Sequence, residues 1–157
     1  MPHLSSLTEY KRTVINTFLR DKEFVELVAN DKNHVLPASD LFEKQCFLYD
    51  YVDSTVKDDK VYVCVEVDPE QVVNCAVTRF NLYVYVAVPK SLMSMDGQIR
   101  RDAICQRIDE LLNGRTDFGF GRLERKPSPR MQFSESFRGR VLVYTVEDWN
   151  RHCKTLA

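Results

Sequence analysis

Val61-Tyr62-Val63-Cys64-Val65-Glu66-Val67 and Phe80-Asn81-Leu82-Tyr83-Val84-Tyr85-Val86-Ala87-Val88 decide how this chain folds. In each, apolar residues recur at every second position, the period of a strand with one buried face. Asp68-Pro69 ends the first run and Pro89 the second, since proline has no amide proton to give a ladder. The valine faces are the expected core. The opposite faces carry Tyr62, Tyr83 and Tyr85, with Tyr144 expected on the same side. Tyrosine joins a large apolar area to a polar tip, which suits a surface covered by a neighbouring protein. A helix of the same chain could cover these residues equally well, or they could serve only as good strand formers.

Upstream of the strands, Ser6-Leu7-Thr8-Glu9 has the pattern of a capping box. Leu7, Tyr10, Val14 and Phe18 follow at helical spacing, and Phe24, Leu27 and Val28 resume it out of phase. Two helical pieces within about residues 6–30 are expected, hinged near Arg20–Asp21. Phe47–Val52 reads as a short strand and Asp53–Lys60 as an exposed loop. Downstream, Asp96-Gly97 reads as the start of a helix bearing Ile99, Ile104, Ile108, Leu111 and Leu112, which Asn113-Gly114 ends. Phe118–Phe133 and Phe137–Trp149 read as a hairpin turning at Ser134-Glu135-Ser136. Pro127-Ser128-Pro129 confines the first of these strands to an edge, a bulge or a projecting loop. Helices, strands, helix, strands is not the alternation of a parallel βαβ protein. The expected fold is α+β: an antiparallel or mixed sheet packed by the N-terminal helices and one central helix, as one domain spanning 1–157.

The chain has 157 residues, 44% of them hydrophobic and 29% charged. That length buries enough surface to fold without metal or disulfide. Met1–Ser6 lacks the layout of a secretory signal, and no apolar run nears the ~20 residues of a membrane-spanning helix. Five cysteines, odd in number and far apart (Cys46, Cys64, Cys75, Cys105, Cys153), are expected as free, mostly buried thiols of a reducing, cytosolic setting.

The net charge of −1 hides a division. Residues 21–70 hold 13 Asp/Glu against 5 Lys/Arg, and residues 100–140 hold 10 Lys/Arg against 6 Asp/Glu. Such a chain can meet copies of itself head to tail, acid against base, or simply carry two solvated faces. The basic run Arg122, Arg125, Lys126, Arg130, Arg138 and Arg140 lies on the expected hairpin. It could touch an acidic neighbour subunit or nucleic-acid phosphates, although a nucleic-acid module usually shows a basic overall charge or a known motif.

Catalytic and metal chemistry find little footing. No C-x-x-C or H-x-x-x-H pair offers zinc its ligands. A thiol nucleophile would need a base in reach, and only His3, His34 and His152 exist. Asp50/Asp53 and Asp58/Asp59 lack the glycine-centred spacing of a calcium loop. Gly119-Phe120-Gly121 lacks the third glycine and the preceding strand of a dinucleotide site, so a bend or bulge is expected there.

The order of elements resembles the head–tail connector and tail-terminator (tail-completion) proteins of tailed phages and phage-like particles of Gram-positive bacteria. The matching pieces are the N-terminal helical region, Val61–Val67, Leu82–Val88, Arg101–Leu112, Phe118–Gly121 and Arg138–Asn150. The resemblance implies a structural virion protein with no enzymatic activity and no cofactor, assembled in the host cytoplasm into a ring, typically a hexamer. Such a ring caps the tail tube and joins it to the head or neck, around the channel through which DNA passes. Its expected partners are further copies of itself, the tail-tube protein and the connector, with no membrane. Subunit contacts are expected from the hairpin cations, from Asp53, Asp58 and Asp59, and from Tyr83 and Tyr85.

Overall fold

The two valine-rich runs form adjacent strands, and a third long strand joins them. The computed structural model describes residues 4–29, 38–52, 55, 59–117 and 121–149. In chain order come helices α1 (Leu4–Leu19) and α2 (Lys22–Ala29) and strands β1 (Cys46–Phe47), β2 (Tyr62–Val72) and β3 (Val77–Pro89). Small strands β4 (Ser94–Met95) and β5 (Gln98–Ile99), helix α3 (Arg100–Leu112), then β6 (Glu124–Arg125), β7 (Arg130–Gln132) and β8 (Phe137–Trp149) follow.

The main sheet runs β1-β2-β3-β8, and both β6 and β7 pair with the outer side of β8. β1 is parallel to β2 and every other pairing is antiparallel. The fold is therefore α+β with a mixed sheet. β1 covers only Val63 and Cys64, so the outer edge of β2 beyond them has no partner strand among the described residues.

Alternation sorts the side chains as expected. Val63, Val65, Val67, Leu82, Val84, Val86 and Val88 face α1, α2 and α3 in one apolar core. Phe18 of α1 stacks on Phe24 of α2 across the hinge, ring centroids 4.8 Å apart. Arg100 is buried where α3 begins, its Nε donating to the Leu92 carbonyl at 2.9 Å and its Nη1 to the Leu27 carbonyl at 2.9 Å. A buried guanidinium requires such partners. Here they tie α3 to the end of α2.

The opposite face has a smaller core of its own. Tyr62, Cys64, Ala87 and Phe137 are buried beneath Phe47, Tyr51, Val52 and Phe133. Phe47 and Tyr51 stack with centroids 4.0 Å apart.

Several expectations change. α1 begins at Leu4, so Ser6 lies inside the helix and not ahead of it. The strand expected at Phe47–Val52 is reduced to Cys46–Phe47, and of its remainder Tyr51 and Val52 cover the second core. β2 continues past Pro69 to Val72, with a register shift between Pro69 and Gln71. Proline is tolerated there because that edge of β2 has no ladder to supply. Asp96-Gly97 is the turn of the β4–β5 hairpin, with Gly97 at φ 74°, and α3 starts only at Arg100. Ile99 is consequently exposed, at 46%. The central helix does end at Asn113-Gly114, where Gly114 has φ 80°. The C-terminal hairpin forms with its first strand split into β6 and β7 around Pro127-Ser128-Pro129. Phe118–Phe120 lie outside the described residues.

Candidate assembly surface

The six cations of the C-terminal hairpin do not act alike. Arg138 and Arg140, on β8, are used inside the chain. Arg138 Nη1 donates to the Ser134 and Glu135 carbonyls at 2.7 and 3.1 Å, and Arg140 Nη1 to the Ser128 carbonyl at 2.8 Å. The cause is local: a turn and a proline-broken loop leave carbonyls without ladder partners, and a guanidinium can serve them. Arg125 Nη1 lies 3.4 Å from Asp109 Oδ2 of α3. Arg122, Lys126 and Arg130 are exposed, and their side chains make no hydrogen bond or ion pair among the described residues.

Two open grooves flank this edge. One, of about 590 Å³, lies between α3 and the β6–β7 loop, with Asp102 and Asp109 on one wall and Arg125, Lys126 and Arg140 on the other. The second, of about 660 Å³, lies between β7 and the β4–β5/α3 junction, where Met93, Ile99 and Met131 meet Arg101 and Arg130.

The acidic side lies across the sheet. Asp53 and Asp58 lie outside the described residues. Asp59 is exposed and accepts a hydrogen bond from Ser91 Oγ at 3.0 Å. Glu66 of β2 is taken by Lys11 Nζ at 3.0 Å. Asp68 and Glu70, further along β2, are exposed without hydrogen bond or ion pair among the described residues. One edge of the sheet is thus acidic and the other basic, a relation that sequence order alone does not give.

The tyrosines divide. Tyr62 is buried at 2% exposure, so the chain covers it itself, though with a loop and not a helix. Tyr83 and Tyr85 are half-buried and stacked, centroids 6.2 Å apart, with Asn81 Nδ2 donating to the Tyr83 hydroxyl at 3.3 Å. Burial, then the charge of Asp50, raises the Tyr85 phenol above its ordinary value. Tyr144 is not on their side. It pairs with Leu82, fully buried in the helix-side core, and donates to Asp109 Oδ1 at 2.8 Å. Burial, then the hydrogen bond to Asp109, shifts this phenol upward.

Cys46, Cys64 and Cys105 are free and buried, as expected. Burial pushes the Cys64 thiol up to about 11 and the Cys105 thiol up to about 12. Cys75 departs from expectation, being disulfide-bonded. Cys153 and all three histidines lie outside the described residues. Among the described residues no group of three or more His, Cys, Asp or Glu is placed to hold a metal ion.

Sequence reasoning missed the exposed large hydrophobic residues Tyr49, Val72, Val73, Ile99, Met131 and Trp149. Val72-Val73 ahead of Asn74 was the available signal, since a turn cannot bury both of two adjacent valines.

No curated protein matches the chain significantly, and no solved structure does. A family model named YomW matches residues 21–146, from the residue ahead of α2 into β8. The chain therefore belongs to the YomW family, a family of the Bacillus phage type.

Proposed function

We propose that this chain is a structural subunit of a phage or phage-like particle, without enzymatic activity, that assembles as a hexameric ring where the tail tube ends and joins the head or neck. The observation that carries this reading is the division of charge across one sheet. Asp68 and Glu70 stand on the β2 edge, and Arg122, Lys126 and Arg130 on or beside the β6/β7 edge. Opposite charge on opposite edges favours contact between different surfaces of successive copies, and such contacts close into rings when the rotation closes. Membership of a phage-type family and the order of elements support the same reading.

Mixing the purified protein with assembled tail tubes and imaging the particles tests it. Rings capping one end of the tube are the expected result. Tubes that stay bare, with a protein that forms no ring under any of these conditions, would count decisively against it. A salt-dependent affinity of the free monomer for DNA would instead favour a nucleic-acid-binding accessory role for the same basic hairpin. The internal use of Arg138 and Arg140 makes that hairpin a poorer phosphate surface than its sequence promises.

A further inference from the structure

The exposed apolar residues fall mainly into two sets. Val72 and Val73, 60% and 42% exposed, stand at the tip of the β2–β3 hairpin. Ile99 and Met131, 46% and 40% exposed, line the groove beside β7. The charges around the two sets are complementary: Asp68 and Glu70 approach the tip along β2, whereas Arg130 and Arg101 rim the groove. Arg101 shares its charge with Asp102 at 3.0 Å, so Arg130 is the less committed of the two.

Both parts are preformed. At the tip, the Val73 amide donates to the Val77 carbonyl at 3.0 Å and the Ala76 amide to Asn74 Oδ1 at 2.8 Å. At the groove, the Gly97 turn holds β5 against β4, and β7 is laddered to β8.

Tip and groove cannot meet within one chain. The β3–β8 ladder runs from Val77↔Trp149 beside the tip to Pro89↔Phe137, and the stretch from the tip to Ala87↔Gly139, where Met131 pairs, is about 33 Å of strand. We infer that the β2–β3 hairpin tip of one copy seats in the Ile99–Met131 groove of the next, Val72 and Val73 covering the apolar floor while Asp68 and Glu70 approach Arg130. This contact joins unlike surfaces, so repetition propagates it head to tail. It rests on the ring reading above and names the surface through which successive subunits would touch.

The test uses two full-length variants, Val72→Ser/Val73→Ser at the tip and Arg130→Glu/Met131→Ser at the groove, followed by sedimentation velocity over a concentration series. All four positions are exposed, and circular dichroism with thermal melting checks that both variants fold. Each variant alone should self-associate roughly tenfold or more weakly than the unaltered chain. Mixed, they should form dimers that neither forms alone, because each supplies the half the other lacks. Variants that associate like the unaltered chain, a mixture without dimers, or an unaltered chain that stays monomeric would each overturn the seat. Capping of tail tubes is read independently: variants that still cap tubes sink the seat and leave the ring, whereas failure of the unaltered chain to cap sinks the ring itself.

Discussion

Arg107 of α3 grips the Asp21 carboxylate with two nitrogens, Nη2 to Oδ1 at 2.6 Å and Nε to Oδ2 at 2.9 Å. Asp21 also accepts the Phe24 amide at 2.8 Å, capping α2 as it breaks from α1. A bidentate pair fixes direction as well as distance. This one sets the hinge between the first two helices against the helix behind the sheet.

The pair makes stability depend on pH. The hydrogen bond from Arg107 holds the Asp21 carboxyl below its ordinary value of 3.8. The folded chain binds that proton less tightly than the unfolded one. Its contribution is therefore complete above pH 3.8 and fades as the pH falls through the lower folded value. Asp21→Ala should cost about 2–3 kcal/mol at neutral pH, from the lost cap and charged hydrogen bonds, and flatten the acid limb of the stability curve. Urea melts from pH 2.5 to 7 measure both effects. An acid limb unchanged in the variant would show that other carboxylates set it.

Gly139 has no room for a side chain. A methyl there would overlap the Val86 carbonyl oxygen and the Phe133 ring. Backbone on one side and a core ring on the other leave little to yield, so Gly139→Ala should destabilise by about 1–3 kcal/mol. A melting temperature equal to the unaltered chain's would mean that β8 does not lie as closely on β3 as described.

The buried thiols should be inert. Native protein should react with a thiol reagent at Cys46, Cys64 and Cys105 only on the timescale of unfolding, and at once in denaturant. Rapid native labelling of any of these, located by peptide mapping, contradicts their burial.

The arginines of the basic edge should separate by role. Arg125→Glu/Arg130→Glu should impair assembly while changing folding stability by no more than about 1 kcal/mol, since the Arg125–Asp109 pair is long and exposed. Arg140→Ala should do the reverse. It releases the Ser128 carbonyl, and faster protease cleavage near residues 127–129 is the expected sign. Normal particle building by the doubly reversed protein would remove this edge from the interface.

Much of this architecture was legible beforehand because it rests on local rules. Alternating valines located β2 and β3, the phase break at Arg20–Asp21 located the hinge, and Pro127 with Pro129 located an edge. The failures share a different cause. Alternation puts Tyr144 on the wrong face because it gives each strand two faces without saying which one aligns with a neighbour's core. Only the pairing of Tyr144 with Leu82 decides that. Asp96-Gly97 suits a helix start, yet the same dipeptide is a strong hairpin signal, and a two-residue strand on each side is too short to show a period. The separation of acidic and basic edges depends on strand order, which no spacing in the chain reveals.

The proline-broken border of the sheet has one further consequence. With Pro127 and Pro129 interrupting β6 and β7, that border offers no long run of free amides for another chain to extend. That border is thereby closed to strand addition, and recognition along it is left to side chains, which charge and salt can reverse.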